Sequence, residues 1–217
     1  TWYAYYRDTN GDYYEVTERA TEQSASYGDA ANLRSETIYY KTVADGETAL
    51  RAGRVKQRTR EDGSIQTFDY SENGNGHFVV TETHLHADAP SGVAYKSTRS
   101  EKTYDDAANL IREEMFVFDG SAYQSVYFLT HTYDIDLNRT ETRRFDGIAG
   151  GRVTYFAEFE HGKAVEEIDQ TGRKVITYYD ILDRKQLQII EGASGSGVGD
   201  IAELYGYSTA ATGCGCT

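Results

Sequence analysis

TYDDAANLIREEMFV, residues 103–117, has a near copy in SYGDAANLRSETIYY, residues 26–40. Both stretches place an aspartate two residues after a tyrosine, continue with Ala-Ala-Asn-Leu, and end in aromatic or β-branched residues. TYDIDLNRTETRRF (132–145) and YYDILDRKQLQII (178–190) repeat the Tyr-Asp and a polar turn before an alternating pattern. We interpret the four stretches as one hairpin unit used four times.

The aspartate after each tyrosine has a structural interpretation. Its carboxylate can accept hydrogen bonds from backbone N–H groups two residues on and so fix a turn, while the tyrosine ring covers the adjacent strand. The uneven spacing of the tyrosines favours strands joined by turns of different length over a solenoid with a fixed period. The predicted turn markers are Tyr104, Asp105, Tyr133, Asp134, Tyr179 and Asp180.

The composition favours strands over helices. The 217-residue chain has 19 Tyr and 8 Phe but one Trp and one Met, so much of its apolar area comes from residues that suit pleated sheets. Alternation predicts a half-buried strand over 152–160, with Val153, Tyr155, Ala157 and Phe159 on one face, and a central strand over 121–132. The predicted fold is an all-β, antiparallel sheet built from repeated hairpins.

The net charge and the length of the apolar runs limit which kinds of partner we expect. The formal net charge of −13 repels phosphate backbones and anionic headgroups, which argues against nucleic acid, and no apolar run approaches the ~20 residues that span a bilayer.

We expect a repeat region over 1–191 and a Gly-rich linker or terminal segment over 192–217. Because the chain begins without Met, we expect a processed product or a segment of a longer protein. Cys214 and Cys216 leave free thiols, a disulfide and a metal role open.

Three groups of residues are candidates for chemistry. His84 and His86 would project from one strand face with Asp88 following in a loop, which is either part of a zinc site or a pair of exposed histidines. Asp8, Asn10 and Asp12 resemble the start of a calcium loop, but the glycine comes too early, which favours an Asx-type turn. Paired glutamates such as Glu113-Glu114 and Glu166-Glu167 are typical of solvated strand faces. We therefore predict no catalytic residues and no cofactor.

The repeated turns resemble those of the RHS or YD-repeat family. The matching residues are the three Tyr-Asp pairs, GRV at 53–55 and 151–153, GRKV at 172–175, Asp62-Gly63, and FDG at 118–120 and 145–147. The resemblance is best over 100–191. It departs from the family pattern at Gly28 and Asp183, and in having a single proline, Pro90. The resemblance implies a curved or spiralling sheet strip that forms part of a hollow β-shell.

Three functions follow as expectations. The first is a shell or scaffold segment of a large secreted or surface-displayed bacterial protein, continued by flanking repeats. The second is a module that binds carbohydrate or protein, and a self-assembling extracellular fibre subunit is a related alternative. The third, a hydrolase using clustered carboxylates, is the least supported. As a scaffold segment or as a fibre subunit, the chain is expected not to exist as an isolated monomer, because open sheet edges recruit further strands.

Overall fold

The prediction of an all-β antiparallel fold is confirmed. The computed structural model describes residues 1–23, 25–86, 97–147, 150–192 and 199–207. These residues contain fifteen strands and one short 3-10 helix, Val43–Asp45. Cys214, Cys216 and Pro90 lie outside them. The strands are β1 Trp2–Arg7, β2 Tyr13–Arg19, β3 Leu33–Tyr39, β4 Val55–Thr59, β5 Ile65–Glu72, β6 Phe78–Leu85, β7 Thr98–Tyr104, β8 Leu110–Phe118, β9 Tyr123–Tyr133, β10 Arg139–Phe145, β11 Arg152–Glu160, β12 Lys163–Asp169, β13 Lys174–Tyr179, β14 Lys185–Ile190 and β15 Ile201–Leu204.

Neighbouring strands in the sheet are neighbours in the chain. The order runs from β1 to β15 without a crossover, which is the topology of a meander of hairpins. The chain divides into two compact units, one spanning Thr1–Thr130 and the other beginning at His131. Each unit is therefore made of consecutive antiparallel strands.

Unit 1 buries very little apolar side chain. Val16 and Ile38, on β2 and β3, are the only hydrophobic residues in the described part of the chain that are classed as buried. Glu18 follows Val16 on the same face, and only 2% of its surface is exposed. Most other large side chains are half-buried, so the strand ladders and cross-strand side-chain pairs carry much of the stability.

An aromatic ladder crosses several strands of unit 1. The rings of Tyr40, Tyr70, Phe78 and Tyr104 follow one another with centroid separations of 6.2, 6.1 and 6.2 Å. The guanidinium of Arg54 lies over two of them, 5.2 Å from the Tyr70 centroid and 4.7 Å from the Phe78 centroid. Contacts of this kind contribute about 0.5–1.5 kcal/mol each beyond area burial. The ladder stabilises a surface that has no second layer among the described residues.

In unit 2 the strand predicted over 152–160 is confirmed as β11, but its alternation is wrong. Glu158 has a positive φ of 50°, and the pairing with β12 continues on either side of it. Phe156 and Phe159, which regular alternation would place on opposite faces, line the same depression. Tyr155, predicted on the inner face with Phe159, is 45% exposed. Regular alternation therefore does not predict which side chains of β11 share this depression.

The segment predicted as a Gly-rich linker or terminal segment contributes a strand. Ile201–Leu204 forms β15 and pairs with β14, with Ile201 opposite Ile190 and Leu204 opposite Leu187. All four residues of β15 are exposed. The hairpin pattern of unit 2 therefore continues beyond residue 191.

Candidate functional site

Six turns in the described residues share one hydrogen-bond pattern. In each, the first backbone N–H donates to the fifth carbonyl oxygen, and the fourth N–H donates to the first carbonyl oxygen. A side-chain oxygen of the first residue accepts from the third and fifth N–H groups. This is a three-residue hairpin loop closed by an Asx turn. The turns span 8–12, 73–77, 105–109, 134–138, 169–173 and 180–184.

The predicted marker aspartates occupy the first position of three of these turns. Asp105, Asp134 and Asp180 each accept hydrogen bonds at 2.8–3.0 Å from the N–H groups two and four residues on. The other three turns begin at Asp8, where an Asx-type turn was predicted, and at Asn73 and Asp169, which were not predicted as markers. The signal that identifies those three is Asp or Asn followed by Gly three positions later.

The carboxylates of the marker turns are stabilised in the charged form. The pKa of Asp105 is lowered by the side-chain amide of Asn109 and by backbone N–H groups. The pKa of Asp180 is lowered by the Arg184 side chain, whose Nε donates to Oδ2 at 2.8 Å. For Asp134, desolvation acts to raise the pKa, but hydrogen bonds from Asn138 and Asp136 outweigh it. Each of these carboxylates therefore has a structural role in closing its turn.

The marker tyrosines do not all lie together. Tyr104 is in unit 1 at the end of the aromatic ladder, 6.2 Å from Phe78. Tyr133 and Tyr179 line one depression of about 440 Å³ in unit 2, together with Phe156 and Phe159. The hydroxyl of Tyr179 donates to the Ala164 carbonyl oxygen at 3.5 Å. The two tyrosines therefore line the same concave surface.

Cations in the unit 2 depression lie on aromatic rings. The guanidinium of Arg139 lies 4.8 Å from the Phe156 centroid, and Lys163 Nζ lies 5.0 Å from the Tyr179 centroid. Lys163 Nζ also donates to the Asp183 carbonyl oxygen at 2.6 Å. Both cations of the depression are therefore already in contact with groups of the protein itself.

Two of the three predicted metal candidates, His84 and His86, lie in the described residues. His84 Nε2 lies 2.7 Å from Glu82 Oε1 and 3.3 Å from Gln66 Nε2. His86 lines the same shallow depression as His84, and Asp88 lies outside the described residues. Within the described ranges, no group of three or more His, Cys, Asp or Glu side chains is placed to hold a metal ion. His84 instead takes part in a cross-strand polar cluster.

The calcium-like residues are used by a turn and an ion pair. Asp8 begins the 8–12 turn and accepts from the N–H of Asn10 at 2.9 Å. Asp12 is 5% exposed and its carboxylate pairs with Lys56 Nζ at 2.5 Å. The Asp12 Oδ1 atom also accepts from the Lys41 N–H at 3.2 Å. Asp8 and Asp12 are therefore satisfied by the protein itself.

Most of the paired glutamates have cationic partners. Glu114 pairs with Arg112 at 2.7 Å, Glu113 with Lys102 at 3.8 Å, and Glu166 with Lys174 at 2.9 Å. Glu167 lines the unit 2 depression. Three of these four carboxylates therefore form ion pairs with cations of their own or a neighbouring strand.

A groove lined by tyrosines in unit 1 was missed by sequence reasoning. It has a volume of about 450 Å³ and lies where β1, β2 and β3 meet. The signal was the pattern of tyrosines at both ends of a short turn, in TWYAYYRDTNGDYYE. Its lining comprises Tyr5, Tyr6, Arg7, Tyr13, Tyr14, Glu15 and Tyr39. We call it the tyrosine groove.

Comparisons with known proteins leave the chain without a family. No protein-family model matches it, and no curated protein matches it. A solved structure of the Photorhabdus luminescens Tc holotoxin pore matches with a TM-score of 0.23 and 14% sequence identity, covering 91% of this chain. This chain spans 14% of the length of that chain. In the described ranges, no helix has both the length and the apolar character needed to cross a membrane.

Proposed function

We propose that the chain is a structural segment, a run of β-hairpins that forms part of a shell or scaffold in a larger, RHS-like secreted or surface-displayed bacterial protein. The observation that carries this proposal is the near absence of a core. In the described residues, Val16 and Ile38 are the only buried hydrophobic side chains. A stable domain packs at least two layers around a hydrophobic core. A sheet this thinly covered is suited to a larger assembly that supplies further strands or a further layer.

The outer strands support the same role. In the described residues, β1 is hydrogen-bonded only to β2, and β15 only to β14. Ile201 and Leu204 on β15 are 51% and 83% exposed. An unblocked edge presents unpaired N–H and C=O groups and recruits another strand. The partners in this proposal are flanking repeats of a longer chain or further copies of this one, without nucleic acid, membrane insertion, cofactor or catalysis.

Light scattering on the purified chain tests the proposal. We expect concentration-dependent association that increases with salt, because salt screens the repulsion between chains of net charge −13. Leu204→Lys places a charge on the β15 edge and should reduce association. Ile181→Lys is the matched control, because Ile181 is 96% exposed but lies in a turn. A chain that stays monomeric at every concentration and salt level would contradict the proposal.

The fibre alternative predicts a different outcome in the same experiment. Copies that add edge to edge without limit give scattering that keeps growing with time, whereas a scaffold segment that needs its own flanking repeats gives small, finite assemblies. Electron microscopy of the associated material separates the two. Extended filaments that Leu204→Lys abolishes would favour the fibre.

A further inference from the structure

The strand register places five side chains of the tyrosine groove on one face of the sheet. Tyr5 is opposite Glu15 and Arg7 is opposite Tyr13 in the β1–β2 pair, and Tyr13 is opposite Tyr39 in the β2–β3 pair. Residues opposite each other in an antiparallel pair share a face, as do residues two apart in a strand. Glu15 therefore lies among Tyr5, Tyr13 and Tyr39.

Of the tyrosine rings around Glu15, two are open to solvent and the third is held in place by a hydrogen bond. Tyr5 and Tyr13 are 71% and 40% exposed. The Tyr39 hydroxyl donates to Glu15 Oε2 at 3.1 Å, which orients both side chains. Desolvation and this hydrogen bond raise the pKa of Tyr39, so its ring remains a neutral phenol around neutral pH. The groove thus offers aromatic surface beside one oriented carboxylate.

The charges of the groove favour a cation. Arg7 forms an ion pair with Asp45, and its guanidinium lies 5.2 Å from the Tyr13 centroid. That contact shows that a ring of the groove accepts a cation on its face, and the Asp45 partner offsets the charge of Arg7. Arg58, which is opposite Thr37 on the neighbouring strands, lies over the Phe68 ring at 5.5 Å. No cation in the described ranges forms an ion pair with Glu15.

We propose that the tyrosine groove binds a quaternary ammonium group, of the kind carried by choline. Such a cation is weakly hydrated, and it is attracted both to the faces of aromatic rings and to a nearby carboxylate. A lysine-type ammonium is a compact, strongly hydrated charge and loses more on entering a groove lined mainly by rings. The volume of about 450 Å³ falls within the usual range for small-molecule sites. This proposal does not depend on the scaffold role.

A neutral oligosaccharide is the main competitor for the same surface. Sugar rings also stack on tyrosine, but their binding does not require the carboxylate charge of Glu15. A quaternary ammonium should lose affinity when the charge of Glu15 is removed at constant shape. The two ligand classes are therefore separated by one substitution, Glu15→Gln, and by an uncharged analogue of the ligand.

The experiment is an NMR titration of tyrosine ring protons in the full chain with choline chloride. Dimethylbutanol, in which carbon replaces the charged nitrogen, is the uncharged isostere. We expect choline to bind at least about fivefold more tightly than the isostere, since cation–π and carboxylate contacts act only on the charge. Glu15→Gln and Tyr5→Ala should each weaken choline binding by about fivefold or more.

Two substitutions serve as matched controls. Tyr3→Ala removes a tyrosine that is 67% exposed on the same face of β1 but does not line the groove. Glu160→Gln makes the same change in net charge within unit 2. Both should leave choline affinity unchanged, and far-ultraviolet circular dichroism checks that all variants are folded. Equal binding of choline and its isostere, or equal effects of Glu15→Gln and Glu160→Gln, would overturn the proposal.

Phosphatidylcholine vesicles then identify the source of the ammonium group. Cosedimentation with vesicles that is lost in Glu15→Gln would assign a lipid headgroup as the ligand. Choline binding without cosedimentation would assign a soluble or polymer-borne choline group. A glycan array that gives Tyr5-dependent binding, with no response to choline, would instead assign the groove to carbohydrate and overturn the quaternary ammonium proposal.

Discussion

Asp105 and Asn109 are joined by three hydrogen bonds across the turn between β7 and β8. The Asp105 N–H donates to the Asn109 carbonyl oxygen at 3.0 Å, and the Asn109 N–H and side-chain amide donate to the two carboxylate oxygens at 2.8 and 3.0 Å. Asp134 and Asn138 are joined in the same way. The aspartate thus closes the hairpin with its side chain as well as with its backbone.

Replacing Asp105 with Ala should destabilise the β7–β8 hairpin. The substitution leaves two backbone N–H groups and one side-chain amide without their acceptor, at a turn where water replaces them only in part. We expect a melting temperature several degrees lower and faster amide exchange in β7 and β8. Asp106→Ala is the control, because the exposed Asp106 side chain accepts no hydrogen bond from the described residues. Equal effects of the two changes would contradict the turn role.

The fourth turn position gives a reciprocal pair of predictions. Ala108 has a positive φ of 63°, a conformation that costs a residue with a Cβ atom about 1–2 kcal/mol. Ala108→Gly removes this cost but adds chain entropy to the unfolded state, which opposes folding. The first effect is the larger, so we expect Ala108→Gly to raise the free energy of unfolding by about 0.5–1 kcal/mol. Gly172 has the same place in the 169–173 turn, and an added Cβ would contact nothing within 4 Å. Gly172→Ala should therefore destabilise by about the same amount.

Urea unfolding of the variants measures both effects. Ala107→Gly is the control for Ala108→Gly, because Ala107 is the exposed neighbour and has no positive φ. Ala107→Gly should destabilise, since it adds only chain entropy to the unfolded state. A stabilising Ala107→Gly, or a destabilising Ala108→Gly, would show that the left-handed conformation is not the cause.

Acid should weaken the hairpins through the same aspartates. The folded pKa values of Asp105, Asp169 and Asp180 are lowered, so their contribution is complete above the unfolded value of about 3.9 and is lost as pH falls through the folded values. Asp105→Asn keeps a neutral acceptor, as Asn73 does in its own turn. It should reduce the acid dependence of the urea midpoint below about pH 4. The control Asp106→Asn should change the acid dependence of the urea midpoint less than Asp105→Asn does.

Much of the strand arrangement could be predicted from short-range pattern. A strand, an Asp, a three-residue loop and a second strand form a hairpin here, because the Asp side chain closes the turn with its own hydrogen bonds. Asp105 and Asp134 illustrate this. The 26–40 copy is built differently, because Gly28 stands where Asp105 stands and supplies no carboxylate.

The tyrosine groove and the unit 2 depression could not be predicted in the same way. The groove depends on the register that brings Tyr13 opposite both Arg7 and Tyr39, and register is a property of two strand pairs. The depression brings together Phe156 and Phe159, which lie on either side of Glu158 with its positive φ and which regular alternation would separate. No local sequence rule requires a glutamate to adopt that conformation.

The loop that lacks a marker aspartate gives the last prediction, at Glu18. This glutamate is 2% exposed, and its Oε1 accepts from the Gly28 N–H and from the Asn32 side-chain amide, each at 2.6 Å. Glu18→Ala removes the acceptor of both donors, so we expect a loss of about 2–3 kcal/mol in the free energy of unfolding of unit 1. Glu18→Gln keeps a carbonyl acceptor and should cost about 1 kcal/mol or less. Urea unfolding followed by Trp2 fluorescence measures this locally, because Trp2 is opposite Glu18 in the β1–β2 register. Glu22→Ala, at an exposed position, is the control. If Glu18→Ala cost no more than Glu22→Ala, the carboxylate that reaches the loop from β2 would not be what holds the loop in place.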